Sequence, residues 1–447
     1  MQNGNVSFNK KLLTLILPIA LQQLVLALVS TSDALMLGFL NQNSLSAVSL
    51  AGQIQFVYSL FLSGISTGLS IFTAQYWGID DKKSIEKVLG IALKTIFLIS
   101  LVFFIGATFF PNLLMMIFTS DTTLINMGVE YLKTVGISYV LLAISQIYLC
   151  IMKNCGLAVK SSIISLVSVA INIFFNAVLI FGIGFFPRLG IKGAALATVI
   201  SKLIELIWTM IIMLKKDNIK INLNYTIHND KALKSDFWKY AKLTIGDSLV
   251  WGCGFTMYSV IMGHMGNDAT AANSIANIIK NLVICFCTGV GIGGSILVGN
   301  ELGKGNLEIA KENAHKVCKF ALISGLISGG IILLVIPFVP LFSGLTDTAR
   351  YYLRIMLVVC SYYVVGKSMN MATIGGIFSA GGDTKFGFIC DTITMWAVTV
   401  PIGLICAFVF KLSVPLVYII INIDEIIKLP AVYKNYHKYR WLKNLTN

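Results

Sequence analysis

The stretch that decides the reading runs from Leu12 to Leu40, LLTLILPIALQQLVLALVSTSDALMLGFL. It is apolar for long enough to cross a bilayer, whose hydrocarbon core of about 30 Å needs about 20 residues of helix. Within it lies a polar knot, Ser30-Thr31-Ser32-Asp33, followed by Ala34-Leu35-Met36-Leu37-Gly38. A carboxylate inside such a run costs roughly 2.5 to 3.5 kcal/mol on insertion scales, so an acid kept there usually has a role. Asp33 is therefore the leading functional candidate, as an ion or proton site. The bland alternative is an acid near a helix end that reaches water or caps a neighbour. Only Gln22 and Gln23 compete with it in this span.

The rest of the chain has the same character. Of 447 residues, 56% are hydrophobic and 12% charged, and the mean hydropathy is +0.82. Soluble proteins are about 25% charged, so a polytopic membrane protein is expected. The net charge of +14 does not point to nucleic acid, because Lys and Arg lie in short connections between apolar runs and form no single patch. Nine cysteines are scattered. Cys285 and Cys287 point to different sides of a helix, so buried thiols are expected here, with no disulfide or metal site. No cleavable leader is expected either, since the first run is long, lacks a small-residue cleavage site and leads straight into a second span.

Hydropathy predicts twelve spans, at roughly 12–39, 46–76, 88–111, 126–151, 161–183, 190–214, 238–264, 270–300, 314–342, 348–378, 386–410 and 413–433. With the N-terminus inside, the inside connections hold Lys10 and Lys11, the Lys82–Lys87 group, Lys153 and Lys160, the Lys215–Lys239 group, Lys304 and Lys311, Lys385, and a tail from Lys428 to Lys443. The outside ones hold only Arg188, Lys192, Arg350, Arg354 and Lys411. Both termini are accordingly expected in the cytoplasm of a plasma (inner) membrane protein.

The chain also repeats. A gapless shift of 225 residues places Gly38 on Gly263, Ala47 on Ala272, Gly64 on Gly289, Gly78 on Gly303, Lys94 on Lys319 and Gly156 on Gly381. Six spans per half give both halves one orientation, as in transporters with parallel repeats. The predicted organisation is an N-terminal six-helix lobe (1–214), a Lys-rich linker (215–236) and a C-terminal six-helix lobe with its tail (237–447). The shift sets Tyr258 opposite Asp33, so coupling through this acid would belong to the N-terminal half.

Other polar groups fall inside predicted spans. Ser161, Ser165, Ser168, Asn172 and Asn176 recur at three- and four-residue steps along the fifth span. Such a stripe can serve helix packing, or it can line a cavity with Asn172 and Asn176 as neutral ligands near Asp33, joined by Thr198 from the sixth span. Lys202 and Glu205 are spaced to neutralise each other. Asp247, Lys280 and Lys367 in the second half are structural ion pairs or, with Gln22, substrate-cavity residues. Asp391 lies near the inner start of its span, within reach of the interface. The Gly289–Gly294 cluster lacks the strand, the Lys-Ser/Thr ending and the acidic partner of a phosphate loop, so close helix packing is expected of it. No metal or nucleotide motif occurs, and His228, His264, His315 and His437 lie in or beside connections.

Several motifs, in order, resemble the multidrug and toxic compound extrusion (MATE) transporters of prokaryotes: Pro18 with Gln22 and Gln23; Asp33 to Gly38; Ala74-Gln75-Tyr76-Trp77-Gly78; Gly193 to Thr198; Gly299-Asn300-Glu301-Leu302-Gly303; and Gly381-Gly382-Asp383. The resemblance covers essentially the whole chain. It implies a V-shaped pair of six-helix lobes and antiport of organic cations or other amphipathic compounds against protons or sodium ions, with the acid matching Asp33 in cation binding. Asn172 matches a family Asn, whereas Asn176 stands where many relatives carry Asp. One carboxylate in place of two favours a single proton over a sodium cage.

The expected protein is thus a monomeric, all-α, twelve-helix secondary transporter working by alternating access between inward-open and outward-open states. Asp33, Asn172, Asn176 and Thr198 form the coupling-ion site; no cofactor and no metal are expected, apart from a sodium ion at Asp33 as the alternative to the proton. A flippase for a lipid-linked saccharide or other amphipathic lipid is the runner-up, kept open by the intramembrane lysines. A membrane enzyme is disfavoured, because no nucleophile, metal or paired acids converge at one membrane depth. A channel is disfavoured too, because a two-lobe repeat suits alternating access better than a ring of identical pore elements.

Overall fold

The computed structural model describes residues 8–184, 186–215, 218–227, 230–341 and 345–446. Lys216 and His228 lie outside that set, as do the side chains of Lys11, Ser30, Thr31, Ala34 and Leu35. The first half comprises α1 (Phe8–Leu40), α2 (Gln42–Gly78), α3 (Lys82–Phe109), α4 (Pro111–Met116), α5 (Thr122–Val135), α6 (Ile137–Asn154), α7 (Ala158–Phe181) and α8 (Ile191–Met213). A short α9 (Leu223–Ile227) follows, then α10 (Lys231–His264), α11 (Asn267–Gly303), α12 (Leu307–Val335), α13 (Asp347–Asn370), α14 (Thr384–Asp391), α15 (Val400–Leu404), α16 (Val414–Ile421) and α17 (Asp424–Tyr436). No strand occurs among the described residues, and the fold is all-α.

Each predicted span coincides with a helix or a run of helices. The fourth is made of α5 and α6, bent at Gly136, where a Cβ would come within 2.9 Å of Thr108 Oγ1. The tenth continues α13 through a π-helical stretch, Met371–Phe378, and the eleventh alternates α14 and α15 with two more, Thr392–Thr399 and Ile405–Val409. The twelfth is broken between α16 and α17 at Asn422 and Ile423. Ten of these runs are long and apolar enough to cross a membrane by length and composition. The seventh (α10) is not among them, and neither is the twelfth, which is split into α16, of 8 residues, and α17, of 13 residues, the latter carrying Asp424, Glu425 and Lys428.

The repeat is carried into three dimensions helix by helix. The shift of 225 residues takes the bounds of α2 onto those of α11, and the start of α3 onto that of α12. The chain forms two compact units, one of residues 1–24, 74–80 and 242–447, the other of 25–73 and 81–241. Helices α1 and α2 each pass from one unit into the other.

Inside the first unit, the end of α2 packs against the end of α11 in a reciprocal contact. A Cβ on Gly78 would overlap the carbonyl oxygen of Asn300, and one on Gly303 would overlap that of Gln75. The repeat maps Gln75 onto Asn300 and Gly78 onto Gly303, so each helix offers a glycine to the other's backbone. The C-terminal segment lies over this crossing. Gln75 Nε2 donates to the carbonyls of Ala380 (2.7 Å) and Lys443 (3.2 Å), Leu445 N donates to Gln75 Oε1 (2.7 Å), and Trp441 is fully buried.

Candidate functional site

Polar constellations lie among the helices of both units. In the second unit, four-residue spacing puts Asn172 and Asn176 on one face of α7, and Asp33 on α1 meets that face. Asn176 Nδ2 donates to Asp33 Oδ1 at 2.6 Å and to Asn172 Oδ1 at 3.1 Å. Asn172 Nδ2 donates to Thr198 Oγ1 on α8 at 3.4 Å, and that hydroxyl donates to the carbonyl of Ala194 at 3.1 Å. The four residues expected from sequence thus form one hydrogen-bonded chain. Asn176 is 1% exposed, and its Oδ1 has no hydrogen-bond partner among the described residues.

The rest of the α7 stripe serves packing. Ser161 Oγ donates to the carbonyl of Leu149 (3.2 Å) and Ser168 Oγ to that of Ser201 (3.1 Å). Lys202 and Glu205 pair at 2.9 Å, and Glu205 also accepts from Ser145 (2.8 Å) and Gln146 (3.1 Å). These contacts account for a buried acid without assigning it a task. Gln22 is buried in the first unit, about three helical turns before Asp33 along α1, and is not part of this chain.

The first unit holds a denser group. Glu425 accepts from Lys367 Nζ (3.0 Å), Lys428 Nζ (3.3 Å) and Asn370 Nδ2 (2.7 Å). Lys428 also pairs with Asp391 at 2.9 Å and approaches Asp424 to 3.7 Å. Lys367 lies over the ring of Trp251 (4.6 Å), and Lys280 lies between the rings of Tyr363 (4.7 Å) and Phe255 (5.3 Å). No carboxylate stands within ion-pair distance of Lys280 among the described residues, although it is 3% exposed. Trp251 and Phe255 stack at 5.7 Å, completing an aromatic wall beside the two ammonium groups. Asp247 borders the group, and its Oδ1 lacks a hydrogen-bond partner among the described residues.

Two expectations do not hold in the structure. Lys428, placed by sequence at the start of a basic tail, is 1% exposed and central to the charge group. Asp391 does not reach an interface, because it is buried against Lys428. Asp424, Glu425 and Lys428 are the functional candidates that the sequence reading passed over. The signal in the sequence was their position, since all three fall inside the predicted span 413–433, where a charged side chain is costly. All nine thiols are free and seven of them are buried, Cys285 and Cys287 among them.

Twelve helical spans in two sequence-related halves, with polar constellations inside the helices, define a multipass membrane transporter. The MatE family profile matches residues 18–178 and 244–405, two copies whose starts repeat nearly the same 225-residue shift. The chain belongs to that family, whose members are transporters. It is similar to the transporter YisQ of Bacillus subtilis, 25% identical over 437 residues, covering 97% of this chain and 95% of the relative. It is also similar to a NorM protein of Halalkalibacterium halodurans named as a probable multidrug resistance protein, 25% identical over 405 residues, 89% and 87% of the two chains. Among solved structures, a MOP-superfamily transporter from Pyrococcus furiosus superposes with a TM-score of 0.87 at 18% identity, covering 97% of this chain and 96% of that one, and so shares the fold.

Proposed function

We propose that the protein is a plasma-membrane antiporter, with both termini in the cytoplasm, that exports amphipathic or cationic organic compounds in exchange for protons by alternating access. The observation that carries this reading is the chain Asp33–Asn176–Asn172–Thr198, in which a carboxylate inside a span has a neutral amide as its hydrogen-bond partner and, unlike Glu205 with Lys202, no ion-pair partner among the described residues. Ionised Asp33 accepts an N–H from Asn176. When Asp33 takes a proton, its new O–H bond needs an acceptor, and the unpartnered Oδ1 of Asn176 supplies one once the amide turns. The site therefore serves both protonation states with one side chain.

An Asp at position 176 would set two carboxylates against each other and could recruit sodium; Asn176 removes that option and supports the proton as coupling ion. Proton binding drives exchange only to the extent that one access state binds it more tightly than the other. The membership in a family of drug and toxin extruders supports an organic substrate. The test is export of ethidium from proteoliposomes under an imposed pH gradient. Asp33→Asn, in protein with an unchanged Tm, should lose at least about tenfold of the ion-driven rate, the scale of a 1.4 kcal/mol loss in coupling free energy. Undiminished export by that variant would remove Asp33 from the mechanism.

A further inference from the structure

The charge group in the first unit is not consumed by the coupling role of Asp33. Its membership is uneven: the carboxylates are those of Asp247, Asp391, Asp424 and Glu425, and the ammonium groups those of Lys280, Lys367 and Lys428. With every group ionised, one negative charge is left over inside a low-dielectric helix bundle, a state that is costly without a further partner.

The geometry shows where the surplus falls. Glu425 is held by two lysines and Asn370, and Asp391 by Lys428 at 2.9 Å. Asp424 is 0% exposed, and neither of its carboxylate oxygens has a hydrogen-bond partner among the described residues. Lys428 stands 3.7 Å from it, nearer to Asp391 and Glu425. Asp424 opens α17, directly after the break at Asn422 and Ile423, so it sits at the positive end of a half-helix inside a span. The neighbouring helices are irregular at the same level: π-helical stretches begin at Met371, shortly after Lys367, and at Thr392, directly after Asp391. Such stretches are frequent at functional sites.

We propose that Asp424 is a second proton-binding site, which loads and unloads with Lys428 moving between Asp391 and Asp424 as its counter-charge. On loading, an O–H bond forms on one Asp424 oxygen; the lysine stays an ammonium, and no other bond is made or broken. The charged and titratable groups around Asp424 are Glu425 and Lys428 on its own helix, Tyr363 and Lys367 on α13, Asp391 on α14, Lys280 on α11 and Tyr258 on α10. Glu425 and Asp391 already share lysines, and Lys280 is occupied with two rings, which leaves Asp247 and Asp424; of these, only Asp424 has both carboxylate oxygens without a hydrogen-bond partner among the described residues and a lysine within ion-pair distance (3.7 Å) to serve as counter-charge.

The site deepens the proton-coupled reading, but its test does not depend on transport. Infrared difference spectra of the purified full-length protein, recorded as the pH is stepped down, report each carboxyl that gains a proton as a carboxylic C=O band. The expected result is a band in a water-poor environment that survives in Asp33→Asn and Asp247→Asn and is lost in Asp424→Asn. Asp424→Glu should keep the band at a displaced frequency, which covers the case in which the Asn variant folds poorly. A wild-type spectrum from Asp424→Asn, or loss of the band in Asp247→Asn instead, would overturn the assignment. If Asp33→Asn exports ethidium normally, the role of Asp33 fails while these spectra still decide that of Asp424.

Discussion

At the scale of single residues, the two constellations differ in what holds them. Asn176 is the hinge of the first, because its one amide donates to both Asp33 and Asn172. Asn176→Ala strands both acceptors in the helix interior and should cost about 1–3 kcal/mol, read as a lower Tm together with slower proton-driven export. Glu425 is the anchor of the second. Glu425→Gln leaves Lys367 and Lys428 with less compensation while they stay buried, and breaking such a pair costs about 3–5 kcal/mol. The neighbouring Asp424→Asn, which removes a charge without hydrogen bonds, should leave the Tm unchanged or raise it. Thermal unfolding of the two purified variants side by side measures the contrast; equal destabilisation would show that Asp424 is as firmly paired as Glu425.

At the scale of helices, the reciprocal glycines make the crossing of α2 and α11 a rigid joint. In both Gly78→Ala and Gly303→Ala the new methyl would meet a backbone oxygen, which cannot swing aside, so each should destabilise by about 1–3 kcal/mol. Gly330→Ala on α12 is the control, since nothing lies within 4 Å of its Cβ position; it should stabilise by up to about 1 kcal/mol through helix propensity. Thermal shift of the three variants tests the ordering. Helices were also the most legible level of the sequence, because apolar length and charge-bearing connections are written residue by residue. The Asp33 chain was legible for a related reason: an acid in an apolar run is conspicuous, and Asn172 and Asn176 share a helical face by spacing alone. The twelfth span was harder. Val414 to Ile421 and Ile426-Ile427 read as one apolar run, so the break between them left no mark in hydropathy, although Asp424, Glu425 and Lys428 fall inside the predicted span. Only tertiary partners on α13 and α14 turn Lys428 from a membrane-flanking lysine into a buried one. The π-helical stretches of the tenth and eleventh spans likewise have no residue signature.

At the scale of the whole molecule, the repeat supplies two halves with one helical plan and different chemistry. Asp33 has a buried Tyr258 as its counterpart, hydrogen-bonded to Thr399 at 2.7 Å, while the charge group has no equivalent in the Asp33 chain. The proposed function takes the single carboxylate of Asp33, beside a neutral amide, as the site of one proton. Proton coupling through Asp33 is tested by ethidium export from proteoliposomes with a pH gradient and a sodium gradient imposed separately, on the wild type and on Asp33→Asn. The expected result is export by the wild type under the pH gradient alone, no response to sodium, and loss of the pH-driven export in Asp33→Asn. Export driven by the sodium gradient, or pH-driven export that persists in Asp33→Asn, would contradict it.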